Sequence, residues 1–87
     1  MSLSDVFGQV NIVGGTVTTQ IVALAQNREL LQLNNAGAAT VYIGGAAVTA
    51  ANGFPLASCA TMYVTGPSAV YGIVASGTID VRYYYSA

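Results

Sequence analysis

The chain has 87 residues and five charged side chains, Asp5, Arg28, Glu29, Asp80 and Arg82, so charge makes up 6% of it against roughly 25% in an ordinary soluble domain. Two arginines and no lysine cannot displace counterions along a phosphate backbone, which excludes nucleic acid as a partner. The absence of histidine removes Ser-His-Asp and Cys-His pairs and His-based zinc sites, and 54% hydrophobic residues exclude a disordered chain.

Residues 1–15 read as an N-terminal arm ahead of a β-sandwich domain over 16–87. Val6, Phe7, Val10, Ile12 and Val13 are apolar, and Gly14-Gly15 ends the segment. An arm this apolar is expected to dock, on its own domain or on a neighbour, and strand addition to an open edge suits it. The first strand is expected from Thr16 to Leu24. Ile21 to Leu33 also carries helix formers, but Glu29, Leu31 and Leu33 alternate with Leu30, Gln32 and Asn34, which favours a second strand over 29–34. Asn34-Asn35-Ala36-Gly37 reads as a turn. A third strand covers Thr40 to Ile43, Gly44-Gly45 makes a tight connection, and Ala46 to Thr49 suggests a short returning strand. Ala51-Asn52-Gly53 is another turn, and Phe54-Pro55-Leu56 is expected to anchor its loop to the core. Strands follow at Thr61 to Thr65 and Ala69 to Ala75, with Gly66-Pro67-Ser68 between them. The last, Thr78 to Tyr85, has the clearest period of two: Ile79, Val81, Tyr83 and Tyr85 share one face, and Thr78, Asp80, Arg82 and Tyr84 the other. Short strands with turn signals every eight to twelve residues or so predict an all-β fold, a small antiparallel β-sandwich or jelly-roll-like barrel.

Few residues suggest chemistry. The Gly14-Gly15 and Gly44-Gly45 pairs lack phosphate-loop spacing and read as turns. Glu29 and Asp80 as paired carboxylates compete with the plainer view that Arg28, Glu29, Asp80 and Arg82 are solvated or form cross-strand ion pairs. Cys59 has no histidine partner and reads as a small buried or half-buried residue. No cofactor, metal or catalytic residue is assigned, and the chain is not expected to be an enzyme. Tyr83-Tyr84-Tyr85 reads equally as core and as contact patch, since tyrosine joins a large apolar area to a polar tip. The candidate assembly interface is therefore Phe7, Val10, Ile12, Tyr83, Tyr84 and Tyr85. No run of about 18 apolar residues occurs, so no membrane partner is expected, and the N-terminus lacks the basic start of a signal peptide.

Surface area sharpens the need for a partner. A folded chain of this size exposes on the order of 4,800 Å². Five charges leave one per ~950 Å², far below what keeps small domains apart. With a single cysteine, an internal disulfide is excluded, and oligomerisation remains as the stabiliser.

Leu30-Leu31-Gln32-Leu33-Asn34-Asn35, then Ala39-Thr40-Val41-Tyr42-Ile43-Gly44-Gly45, Val48-Thr49, Asn52-Gly53 and Pro55-Leu56, and later Val70 to Arg82, resemble a small β module of virion structural proteins in tailed bacteriophages, the capsid decoration or cement proteins and head-fibre-like proteins. The resemblance covers about residues 28–82. Related modules often carry a Pro-Gly turn after the Pro-Leu pair, where this chain has Ala57-Ser58-Cys59. The resemblance implies a decoration protein made in the host cytoplasm that assembles with itself, as a trimer, on the capsid surface, with the phage major capsid protein as partner. The alternative is a receptor- or glycan-binding module of a head or tail fibre, with tyrosines as stacking platforms.

Overall fold

The computed structural model describes residues 5–15, 18–26 and 28–86, without the side chain of Asp5. Eight strands follow one another: β1 (Asp5–Val13), β2 (Thr19–Val22), β3 (Leu30–Asn35), β4 (Val41–Gly44), β5 (Phe54–Leu56), β6 (Thr61–Thr65), β7 (Val70–Ile73) and β8 (Thr78–Ser86). None of the described residues is helical. The first strand pairs with the last, the second with the seventh, the third with the sixth and the fourth with the fifth, all antiparallel. Two further ladders, β3 with β8 and β4 with β7, join these pairs into sheets ordered β1-β8-β3-β6 and β2-β7-β4-β5. This nesting is an eight-stranded jelly roll, a long hairpin rolled over on itself into a sandwich.

Alternation along each strand supplies the core. Ile12, Leu31, Leu33 and Val81 from the first sheet meet Ile21, Val41, Leu56 and Val70 from the second, all buried. In β2 the consecutive residues Ile21 and Val22 are both buried, because the register shifts between Gln20 and Val22; such a bulge turns two successive side chains inward. Gly14 is required by a close approach, since a Cβ there would stand 2.5 Å from the Ser76 backbone.

Residues 5–13 take the first of the two docking alternatives, their own domain, as a full edge strand along β8 with Ile12 at 0% exposure; residues 1–4 lie outside the described set. Several other local expectations are corrected. The strand expected from Thr16 to Leu24 is limited to β2, with Thr16 and Val17 also outside that set. Ala46 to Thr49 is no strand. Thr49 N donates to Asn52 Oδ1 at 2.8 Å rather than to a sheet partner, while Asn52 N donates back to Thr49 Oγ1 at 3.2 Å. These local bonds displace a ladder. Phe54 does not anchor the loop: it is exposed, Leu56 is the buried residue, and both belong to β5. Cys59 is exposed rather than half-buried, at a positive φ of 65° in the turn that brings its N–H to Asn35 O at 2.8 Å.

Arg28 departs furthest from expectation. It is neither solvated nor ion-paired but 1% exposed. Its Nη1 donates to Ala23 O at 3.1 Å, its Nε to Gly66 O at 3.3 Å, and its Nη2 to Ser68 O. The guanidinium also lies 5.3 Å from the Tyr85 ring centroid. One side chain thus ties the β2–β3 loop to the β6–β7 loop, beside the backbone bonds from Ala25 N to Pro67 O and from Gly66 N to Glu29 O. Asn35 is the second buried polar hub. Its Nδ2 donates to Ala39 O and Leu56 O, and its Oδ1 accepts from Gly37 N, so it links the two sheets at one end of the sandwich.

Candidate functional site

The outer face of the β1-β8-β3-β6 sheet gathers the side chains that the core leaves over. Register fixes them in rows. Phe7 stands opposite Tyr84, Tyr84 opposite Gln32, and Gln32 opposite Tyr63, so one row of three aromatics and an amide crosses all four strands. Phe7 is 74% and Tyr63 60% exposed, and the Phe7 and Tyr84 ring centroids lie 4.6 Å apart. The next row is Gln9, Arg82, Asn34 and Thr61. Asn34 Nδ2 donates to Thr61 Oγ1 at 3.1 Å, and Arg82 donates through Nε and Nη2 to Asp80 Oδ2 at 3.2 and 3.1 Å. Gln32, Asn34, Arg82, Tyr83 and Tyr84 outline a shallow hollow of about 140 Å³ between these rows.

Electrostatics on this face is weak. Arg82 and Asp80 neutralise each other within one strand, and Arg28 is buried behind the sheet. Among the described side chains, Glu29 is the one charged group at the surface without an ionic partner. Asp80 sits opposite Ala36, just after β3, and Glu29 just before β3 is seven places earlier, a separation on the order of 20 Å at ~3.3 Å per residue. Carboxylates that share acid–base work stand roughly 5–10 Å apart, so these two do not form such a pair.

The six candidate interface residues divide between the two faces. Phe7 and Tyr84 point outward and touch. Ile12 is in the core and cannot meet a partner, and Val10, Tyr83 and Tyr85 pack against the core from its margin. Tyr83 and Tyr85 stack at 6.1 Å, Tyr85 under Arg28 and Tyr83 close over Gly8, where a Cβ would push the Tyr83 ring aside. Tyr63 and Gln32, which complete the aromatic row, are additions from the structure. Their signal was present in the alternation of Thr61 to Thr65, which sets Tyr63 between threonines and opposite in facing to Met62 and Val64.

A second, more open groove of about 680 Å³ runs beside β6, lined among others by Ile43, Phe54, Met62 and Tyr63. No group of His, Cys, Asp and Glu among the described residues could hold a metal ion. Comparison with protein-family models, curated proteins and solved structures returned no match.

Proposed function

We propose that this chain is a capsid decoration protein of a tailed bacteriophage, which assembles with copies of itself on the outside of the shell and stabilises it. The observation that carries the reading is the row Phe7–Tyr84–Gln32–Tyr63, spread across a sheet face that has almost no uncompensated charge. Rows of aromatics with polar tips, held flat on a rigid sheet, are suited to contact with another protein surface. The resemblance of residues 28–82 to phage virion modules supplies the kind of surface, and jelly rolls recur in capsid and lectin domains. Fold alone assigns no function.

The mechanism is linkage. A protein that binds the assembled shell and not its separated subunits raises the stability of the shell by mass action. Many copies of modest affinity suffice when shell contacts and self-contacts are made together. Such contacts should tolerate salt, because burial of apolar area does not weaken as the screening length falls from ~10 Å at 0.1 M to ~3 Å at 1 M.

The test is co-sedimentation with purified empty shells of the encoding virus, at low and high salt. Saturable binding of many copies per shell that persists in 1 M salt supports the reading. Binding abolished by salt, or none at all, refutes it. The hollow edged by Gln32, Asn34, Arg82 and Tyr84 favours one second reading, a glycan site, since amides and an aromatic face are what a sugar needs. A glycan array positive in the absence of shell binding would select it.

A further inference from the structure

We propose that the occupant of the open β1 edge is β1 of a second copy, paired antiparallel about a two-fold axis through Val10. The inference rests on the assembly reading above and names its self-contact. Gly14 N donates to Gly77 O, which makes this a hydrogen-bonded pair of the β1–β8 ladder. Antiparallel ladders alternate, so the even residues 8, 10 and 12 spend their backbone groups on β8. Phe7, Gln9, Asn11 and Val13 therefore point N–H and C=O away from the sheet. No backbone or side-chain bond among the described residues reaches those groups.

Edges of this kind are ordinarily blunted by lysine, proline, inward charge or a bulge. From Val6 to Val13 this edge has none of these, and its register runs without a shift. The same four residues carry the outward side chains, which read apolar, amide, amide, apolar. That order is its own mirror. A two-fold at Val10 sets Phe7 against Val13 of the other copy and Gln9 against Asn11 of the other copy. A two-fold at Gln9 would instead set Phe7 against an amide. Phe7 and Val13, 74% and 57% exposed, are the large apolar groups left uncovered on this strand. The ladder so formed has about eight backbone hydrogen bonds. At one bond per 100–200 Å², that corresponds to an interface of roughly 800–1,600 Å², whose upper part overlaps the ~1,200–2,000 Å² of stable pairs. The two sheets become one, and the row Thr61–Asn34–Arg82–Gln9 runs on into Asn11 and Asp80 of the second copy.

The β6 edge offers the same parity at Thr61, Tyr63 and Thr65, because Asn35 N donates to Ala60 O. It is shorter, with three outward residues against four, and the experiment separates the two. Native mass and amide exchange are measured on the whole protein at high micromolar concentration, for the wild type and for Gln9→Pro. Proline at an outward edge position removes an inter-copy donor and leaves every β1–β8 bond intact. The wild type is expected at twice the chain mass, with slow exchange at Phe7, Gln9, Asn11 and Val13. Gln9→Pro should weaken the pair about 10–100-fold, from two lost bonds per dimer.

A pair of double variants guards against misfolding by proline and reads the register. Gln9→Lys with Asn11→Lys opposes like charges and should give monomers, while Gln9→Lys with Asn11→Glu opposes unlike charges and should still pair. A wild type that stays at one chain mass overturns both this pairing and the assembly reading. A three-chain mass, protection at Thr61, Tyr63 and Thr65 instead, or an oligomer indifferent to these variants overturns the β1 pairing alone.

Discussion

Replacing Arg28 by methionine tests whether one buried cation holds two loops together. The substitution keeps the aliphatic stem and deletes the guanidinium. Three carbonyls, of Ala23, Gly66 and Ser68, then lose a charged donor, and the Tyr85 ring loses the cation over it. Bonds to a charged group are worth about 1.5–3 kcal/mol each, but they do not add, and removing a buried charge returns part of its desolvation cost. The carbonyls belong to the backbone and cannot be deleted with their partner. A net loss of about 2–4 kcal/mol follows, against a total stability of about 4–13 kcal/mol for a chain of this length. The midpoint should fall by roughly 10–30 °C.

Urea unfolding followed by circular dichroism measures the loss, at matched concentration because the self-association proposed above would add its own stability. The local signature is more specific. The amides of Ala25 and Gly66 bond across the same two loops, to Pro67 O and Glu29 O, and should lose exchange protection together. Arg28→Lys should recover less than half of the loss, since a point ammonium cannot address three carbonyls on two loops as a planar fork does. A loss below about 1 kcal/mol with unchanged exchange at Ala25 and Gly66 would refute the clamp.

Asn35→Leu leaves Gly37 N–H and the carbonyls of Ala39 and Leu56 without their buried partner, so a loss of about 2–4 kcal/mol in chemical unfolding is expected. Cys59→Gly relieves a left-handed conformation that costs a side chain roughly 1–2 kcal/mol, less the entropy glycine adds to the unfolded chain, and should raise stability by up to ~1 kcal/mol. Phe7→Ala should change stability little, because the ring is mostly exposed, yet weaken shell binding about tenfold or more. Deleting residues 2–13 is the poorer test, because it also takes Ile12 out of the core.

How much of this was legible follows from where each feature is encoded. β6 and β8 are plain in the sequence because their side chains alternate over five or more residues. The same rule applied to Val6–Val13 separates Phe7 from Ile12, but grouping those residues by apolar content alone merged the two faces into one arm. Ala46 to Thr49 looks like a strand because Val48 and Thr49 are β-branched, while its other two residues, Ala46 and Ala47, are small and carry no facing preference. The pairing of first strand with last joins residues more than sixty positions apart, which no local pattern records. Arg28 was the least legible, since its partners are carbonyls of Ala23, Gly66 and Ser68, and backbone acceptors leave no mark on residue identity.

The fate of the charges ties the fold to the assembly reading. Five charged side chains were already few for 4905 Å² of surface. Folding then removes Arg28 to the interior and closes Arg82 onto Asp80. The face that results is built from aromatics, amides and hydroxyls, with Phe7 and Val13 beside a strand edge whose backbone groups are unspent. Each of these features costs an isolated protomer something in water, through exposed apolar area, missing repulsion or unpaired edge polarity. One contact answers all three, since adding a strand covers the apolar groups, satisfies the edge and meets no charge that must be desolvated. On the assembly reading proposed above, the scarcity of charge and the open edge have one common explanation, contact with another protein surface.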